Sequence, residues 1–100
     1  MPGGVPIATI TSTTAGLDGP PTFVLTSSPN VVACGLGVSR IGDIVLEHIR
    51  YGSKRVHPRA IALGSSTVVC NGLAVAYEGS LCTCGDIVAV SPAQNVLVSP

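Results

Sequence analysis

Ser28-Pro29-Asn30-Val31-Val32-Ala33-Cys34-Gly35-Leu36-Gly37-Val38 returns 37 residues later as Ser65-Ser66-Thr67-Val68-Val69-Cys70-Asn71-Gly72-Leu73-Ala74-Val75. On the same offset Gly42 falls on Gly79. A truncated third copy follows as Ser91-Pro92-Ala93-Gln94-Asn95-Val96-Leu97-Val98. Each copy reads as a turn at Ser-Pro or Ser-Ser, a short strand, a tight turn through Gly and a second strand. A hairpin of this length cannot bury a face by itself. Three can, if they pack around a shared axis and each covers the next. The units are placed at about 28–48, 65–85 and 91–98, in a single domain spanning 1–100.

Composition supports the same reading. Val, Ile and Thr make up 29 of the 100 residues, and β-branched side chains favour strands. Twelve Gly and eight Pro punctuate nearly every stretch. Residues 41–50 come nearest to a helical period, but Gly42 argues against more than one turn. Strands are expected at roughly 6–11, 21–26, 30–34, 36–41, 44–49, 60–64, 67–70, 73–77, 87–90 and 95–98. The fold class is all-β, built of short strands and hairpins with pseudo-threefold repeat symmetry.

Charge narrows the functions. Five basic residues balance five acidic ones, and only 10% of the chain is charged, against about 25% in ordinary soluble domains. A neutral chain is neither a solvating acidic tail nor a general nucleic-acid binder. Three aromatics (Phe23, Tyr51, Tyr77) and no Trp leave no stacking platform for single strands. No apolar run approaches the roughly 18 residues of a membrane helix. Met1-Pro2-Gly3-Gly4 opens no signal peptide, so synthesis in the cytoplasm is expected. So little charge implies that much of the surface is covered by something else. Residues 40–59 hold all five basic residues, two of the acidic ones and both histidines. This polar excursion, above all Arg50 to Arg59, is expected to be solvated and to form the one exposed end.

His48, His57, Cys82 and Cys84 supply two imidazoles and two thiols. That is a ligand set zinc favours, and thiolate softness selects zinc or iron over magnesium or calcium. The spacing, H-x8-H and C-x-C, is not that of a zinc finger. The same residues also read as polar loop histidines and small core cysteines. With four protein ligands the metal is structural, since no position is left for substrate. Asp43, Glu47 and Glu78 are scattered and form no acid–base pair, so no enzyme activity is expected. Cys34 and Cys70, in Val-rich strands, read as packing. A second class stays open: a small zinc-binding redox or regulatory module that uses Cys82 and Cys84 as a reversible thiol pair.

These residues resemble the PAAR-repeat proteins, typified by a repeated Gly-Ser-Pro-x-Val-x-x-Asn-Gly-x-Pro-Ala-Ala-Arg-x-Gly-Asp followed by His or Cys. The matching stretches are Ser28-Pro29-Asn30-Val31 through Gly35 with Arg40-Ile41-Gly42-Asp43, then Gly64-Ser65-Ser66-Thr67-Val68 with Asn71-Gly72 and Gly79, then Ser91-Pro92 with Asn95-Val96. The name-giving tetrapeptide is degenerate. Gly37-Val38-Ser39-Arg40 keeps the Arg, and Ala74-Val75-Ala76-Tyr77 keeps two alanines. The resemblance implies a small cone of short strands that caps and sharpens a trimeric β-helical spike, one cap per trimer. Its setting would be the tip of a contractile phage tail or a type VI secretion spike. There it would pierce and briefly contact a target membrane, and could carry effector proteins. The resemblance also implies a zinc ion near the vertex, matched to His48 and His57 and to Cys82 or Cys84. The family's N-terminal histidine has no counterpart between Thr11 and Ala15, and the second cysteine is taken to replace it.

Overall fold

The computed structural model describes residues 4–16, 21–49, 56–83 and 85–99. Its ten strands are β1 (Val5–Pro6), β2 (Thr13–Ala15), β3 (Val32–Ala33), β4 (Leu36–Gly37), β5 (Ile44–Ile49), β6 (Val56–Ala60), β7 (Val69–Cys70), β8 (Leu73–Ala74), β9 (Ile87–Val90) and β10 (Leu97–Val98). Among the described residues there is no helix. All ladders are antiparallel.

The repeat becomes a base of three two-residue hairpins. β3 pairs with β4 and β7 with β8, each through a two-residue turn, Cys34-Gly35 (φ 52° and 79°) and Asn71-Gly72 (φ 53° and 79°). Two consecutive positive φ values match strand twist across so short a loop. The third hairpin has no turn of its own. β10, in the truncated copy, is completed by β1, with Val5 opposite Val98 and Pro6 opposite Leu97. Each unit opens on a serine whose hydroxyl accepts backbone N–H bonds just downstream. Ser28 takes Val31 (3.1 Å), Ser65 takes Val68 (3.1 Å) and Ser91 takes Ala93 (3.1 Å). These serine turns fix where each strand begins. Ala33, Cys70 and Val98 face inward and join Ile7, Val38 and Val75 in the base core.

Above the base the three units meet on the axis. Ala8 N donates to Ala76 O (2.9 Å), Ala76 N to Ser39 O (2.9 Å) and Ser39 N to Ala8 O (3.0 Å). The bonds form a closed triangle that satisfies converging backbones where no side-chain core fits. All three residues are fully buried, and all are small. Each segment then turns sharply through Ile10-Thr11, Ile41-Gly42 or Glu78-Gly79, with φ of 73°, 89° and 102° at the second residue. The turns close by Ser12 N to Thr9 O, Asp43 N to Arg40 O and Ser80 N to Tyr77 O, at 2.9–3.0 Å. Type II turns of this kind need positive φ at their third residue.

Beyond the turns lies a closed ring of six strands in three hairpins. β2 is bridged to Phe23, Val24 to Val45 of β5, β5 pairs with β6, Ile61 is bridged to Cys82, Leu81 to Ile87 of β9, and β9 returns to β2. Closure leaves this layer no free edge. Inside it Ala8, Val24, Val45, Ile61, Ala76, Cys82 and Val88 form a second core. The fold is therefore the all-β, pseudo-threefold arrangement of short hairpins that the repeat implies.

Four expectations change. β2 at Thr13–Ala15 was not foreseen, and the strand expected at 60–64 lies earlier, at Val56–Ala60. Pro58 sits inside that strand at a register shift between Val45 and His48, where a residue without an N–H is tolerated. Cys34 is exposed at its turn, its thiol donating to Asn95 Oδ1 (3.1 Å), whereas Cys70 is buried as expected. Arg59 is not solvated at all: it is 2% exposed.

Candidate functional site

Two regions carry the functional expectations: the β5–β6 hairpin and the base. In β5–β6 the ladder runs Ile44 opposite Ala60 and Val45 opposite Arg59, shifts by one residue, then resumes with His48 opposite His57 and Ile49 opposite Val56. The bulge places Leu46 and Glu47 against Pro58. Without it His48 would oppose Val56. The two histidines, nine positions apart in sequence, are thus made direct cross-strand register partners.

The cysteines separate. Cys82 is bridged to Ile61 and is 3% exposed. It follows its turn at the same step as Thr14 and Val45, which are also buried. Ile61 is four residues from His57, about 13 Å along a strand, so Cys82 belongs to the inner apolar layer beneath the histidine pair. Cys84 lies outside the described residues. Among the described residues no group of three or more His, Cys, Asp or Glu side chains is positioned to hold a metal.

The Arg-x-Gly-Asp element does local work. Asp43 Oδ2 accepts from Arg40 N (2.6 Å) and Arg40 Nε (3.1 Å), and Oδ1 accepts from Arg40 Nη2 (3.2 Å) and Thr26 Oγ1 (2.8 Å). The hydrogen bond to Asp43 raises the Arg40 pKa, against a smaller opposing effect of burial. Ser12 and Ser80 repeat the backbone part of this cap, accepting from Thr9 N and Tyr77 N at 2.9 Å. A side chain that accepts from the residue three positions earlier is what each turn requires.

Sequence reasoning missed a buried ion pair. Arg59 Nη1 donates to Asp86 Oδ2 at 2.9 Å, with both side chains out of water. A signal was available. Thr22, Arg59 and Asp86 each stand two residues before Val24, Ile61 and Val88, so aligning the ring hairpins as well as the base copies would have put them at one level.

At the base, equivalent positions of the three hairpins carry Val32, Val69 and Leu97, exposed by 65%, 67% and 52%. Three apolar side chains held outward on one pseudo-threefold frame are more than scattered surface hydrophobics. Among the described residues no helix is long and apolar enough to cross a membrane.

A search of curated proteins found no match. Comparison with known families matched the PAAR motif over residues 18–90. That stretch contains two complete base hairpins, all three turns but the first, and most of the ring. With the motif covering nearly three quarters of its length, the chain belongs to the PAAR motif family.

Proposed function

We propose that this protein is the tip of a contractile injection machine, a non-enzymatic cap on a trimeric β-helical spike that helps it pierce a target membrane. The family membership supports a structural spike-tip role. The observation that carries the docking is the exposed triad Val32, Val69 and Leu97. Three equivalent hairpins in one chain match three chains of a trimer, so one cap seats on one spike. The test is native mass spectrometry of the cap mixed with its spike trimer. One cap per trimer is expected, and Val32→Asp with Val69→Asp is expected to abolish the complex. Three caps per trimer would overturn the reading.

A structural zinc ion near the vertex belongs to the same proposal. His48 and His57, as register partners, fit a pair of imidazole ligands. Cys84 supplies the thiolate, two residues before Asp86 as His57 is two before Arg59. Cys82, the fourth residue of the set read from the sequence, is better accounted for by the buried layer it fills. When bound, the metal would cross-link the hairpin ends. Elemental analysis of the purified protein tests this. Zinc is expected at about one per chain, reduced by His57→Ala and by Cys84→Ser, and its absence would refute the site. Burial of Cys82 also weighs against a reversible Cys82–Cys84 thiol pair, because exchange needs an accessible thiolate.

A further inference from the structure

Among the described residues the ring carries a polar layer whose composition is unusual for a threefold position. Thr22, Arg59 and Asp86 come one from each ring hairpin, at equivalent steps before Val24, Ile61 and Val88. Beneath this layer Val24, Ile61 and Val88 belong to an apolar core. Arg59 is 2% exposed and Asp86 1%. The guanidinium reaches all three hairpins. Nη1 donates to Asp86 Oδ2 of the third at 2.9 Å, and Nη2 donates to Leu46 O of its own hairpin at 2.6 Å and to Thr22 Oγ1 of the first. Thr22 Oγ1 in turn donates to Leu46 O at 2.9 Å and lies 3.3 Å from Thr14 Oγ1. Gly16 keeps room for the anion, since a Cβ there would overlap the Asp86 carboxylate.

A cation, an anion and a hydroxyl at three equivalent positions complement one another only in this combination. The planar fork of Arg suits it, because one group can point different N–H bonds at several acceptors, which the single ammonium of Lys does not do in fixed directions. Buried ion pairs are not in themselves stabilising relative to apolar packing, but losing one partner strands the other charge in the core. The bonds from Arg59 to Asp86, Leu46 and Thr22 therefore tie the three ring hairpins together through protein groups alone.

We propose that this Arg59-centred clamp closes the ring by itself, so that the cone folds without metal and a metal at the vertex only tightens a structure already closed. The inference does not rest on the zinc site. The experiment is thermal unfolding, followed by circular dichroism, of the full chain after chelation, with metal removal verified by elemental analysis. Metal-free wild type is expected to melt cooperatively. Arg59→Met is expected to lose at least about 10 °C in Tm, or to fail to fold. Asp86→Asn, nearly isosteric, is expected to fold with a Tm lower by at least about 5 °C, and Arg59→Lys not to restore the wild-type value. A metal-free wild type without a cooperative transition would overturn the proposal. So would Asp86→Asn and Arg59→Lys melting with the wild type. Finding no metal in the purified protein would count against the vertex site alone, and the clamp would still be read from the same melts.

Discussion

Thr11→Gly should stabilise this protein, a rare sign for a substitution to glycine. Thr11 occupies the third position of its turn with φ 73°, where the other two units place Gly42 and Gly79 at 89° and 102°. The left-handed region costs an L-residue about 1–2 kcal/mol, and a β-branched side chain sits poorly there. Glycine removes that cost but loses about 0.5–1 kcal/mol more backbone entropy on folding. The net gain is about 0.5–1 kcal/mol, or a Tm higher by about 2–8 °C for a domain of this size. Thr11 is exposed, and the backbone bond from its N–H to Val24 O (2.9 Å) survives the change. The reverse substitution supplies the control. A Cβ added at Gly42 meets nothing within 4 Å, so Gly42→Ala tests conformation without a clash and should lose about as much as Thr11→Gly gains. Thermal melts and urea titrations with unchanged m-values would read both. A neutral or destabilised Thr11→Gly beside a neutral Gly42→Ala would refute the reasoning that equivalent turns impose equivalent demands.

Further outcomes follow from named contacts. Gly16→Ala must displace the Asp86 carboxylate and should cost about 3 kcal/mol in chemical denaturation, since it disturbs a buried pair. Cys82→Val matches its ring equivalent Val45 and should change stability by less than about 1.5 kcal/mol, leaving metal content as in the wild type; a loss of metal would return Cys82 to the ligand set. Arg40→Met, which strands Asp43, should cost about 1–3 kcal/mol. Because the folded-state pKa of Arg40 is raised, its stabilising effect is fully present below the unfolded value and is lost only in strongly alkaline solution. The Tm deficit of Arg40→Met attributable to the guanidinium should therefore be the same at pH 6 and pH 9.

The parts of this fold visible in the sequence are those written twice at close range. The base hairpins at Val32–Gly37 and Val69–Ala74 are local, with their turn residues between their strands, and the copies could be laid over each other. The third hairpin was legible only as a fragment because its halves, Pro6 and Leu97, stand at opposite ends of the sequence and share no turn. β2 was obscured because Thr13 to Ala15 lack the Val and Gly that marked the other copies. The polar excursion misled for a related reason. Charge near Arg59 suggests solvent, and only the three-dimensional partners Asp86, Thr22 and Leu46, from 13 to 37 residues away, make its burial tolerable. His48 and His57, nine residues apart in sequence, stand opposite each other in the β5–β6 ladder. What aligns them is a bulge at Pro58, a backbone detail that counting residues does not reveal.

The seam between β1 and β10 has a consequence for how the chain can be cut and rejoined. Val98 and Val5 oppose each other as Ala33 opposes Leu36, a pair that two residues are enough to connect. Joining Val98 to Val5 through Asn-Gly and opening the chain between Cys34 and Gly35 would move the termini from one base hairpin to the next while leaving every ladder in place. The molecule is in this sense a circle that happens to be nicked at one of three similar corners. A segment attached at Val5 or Val98 would leave the fold beside the triad of Val32, Val69 and Leu97, the face on which the proposed spike would seat.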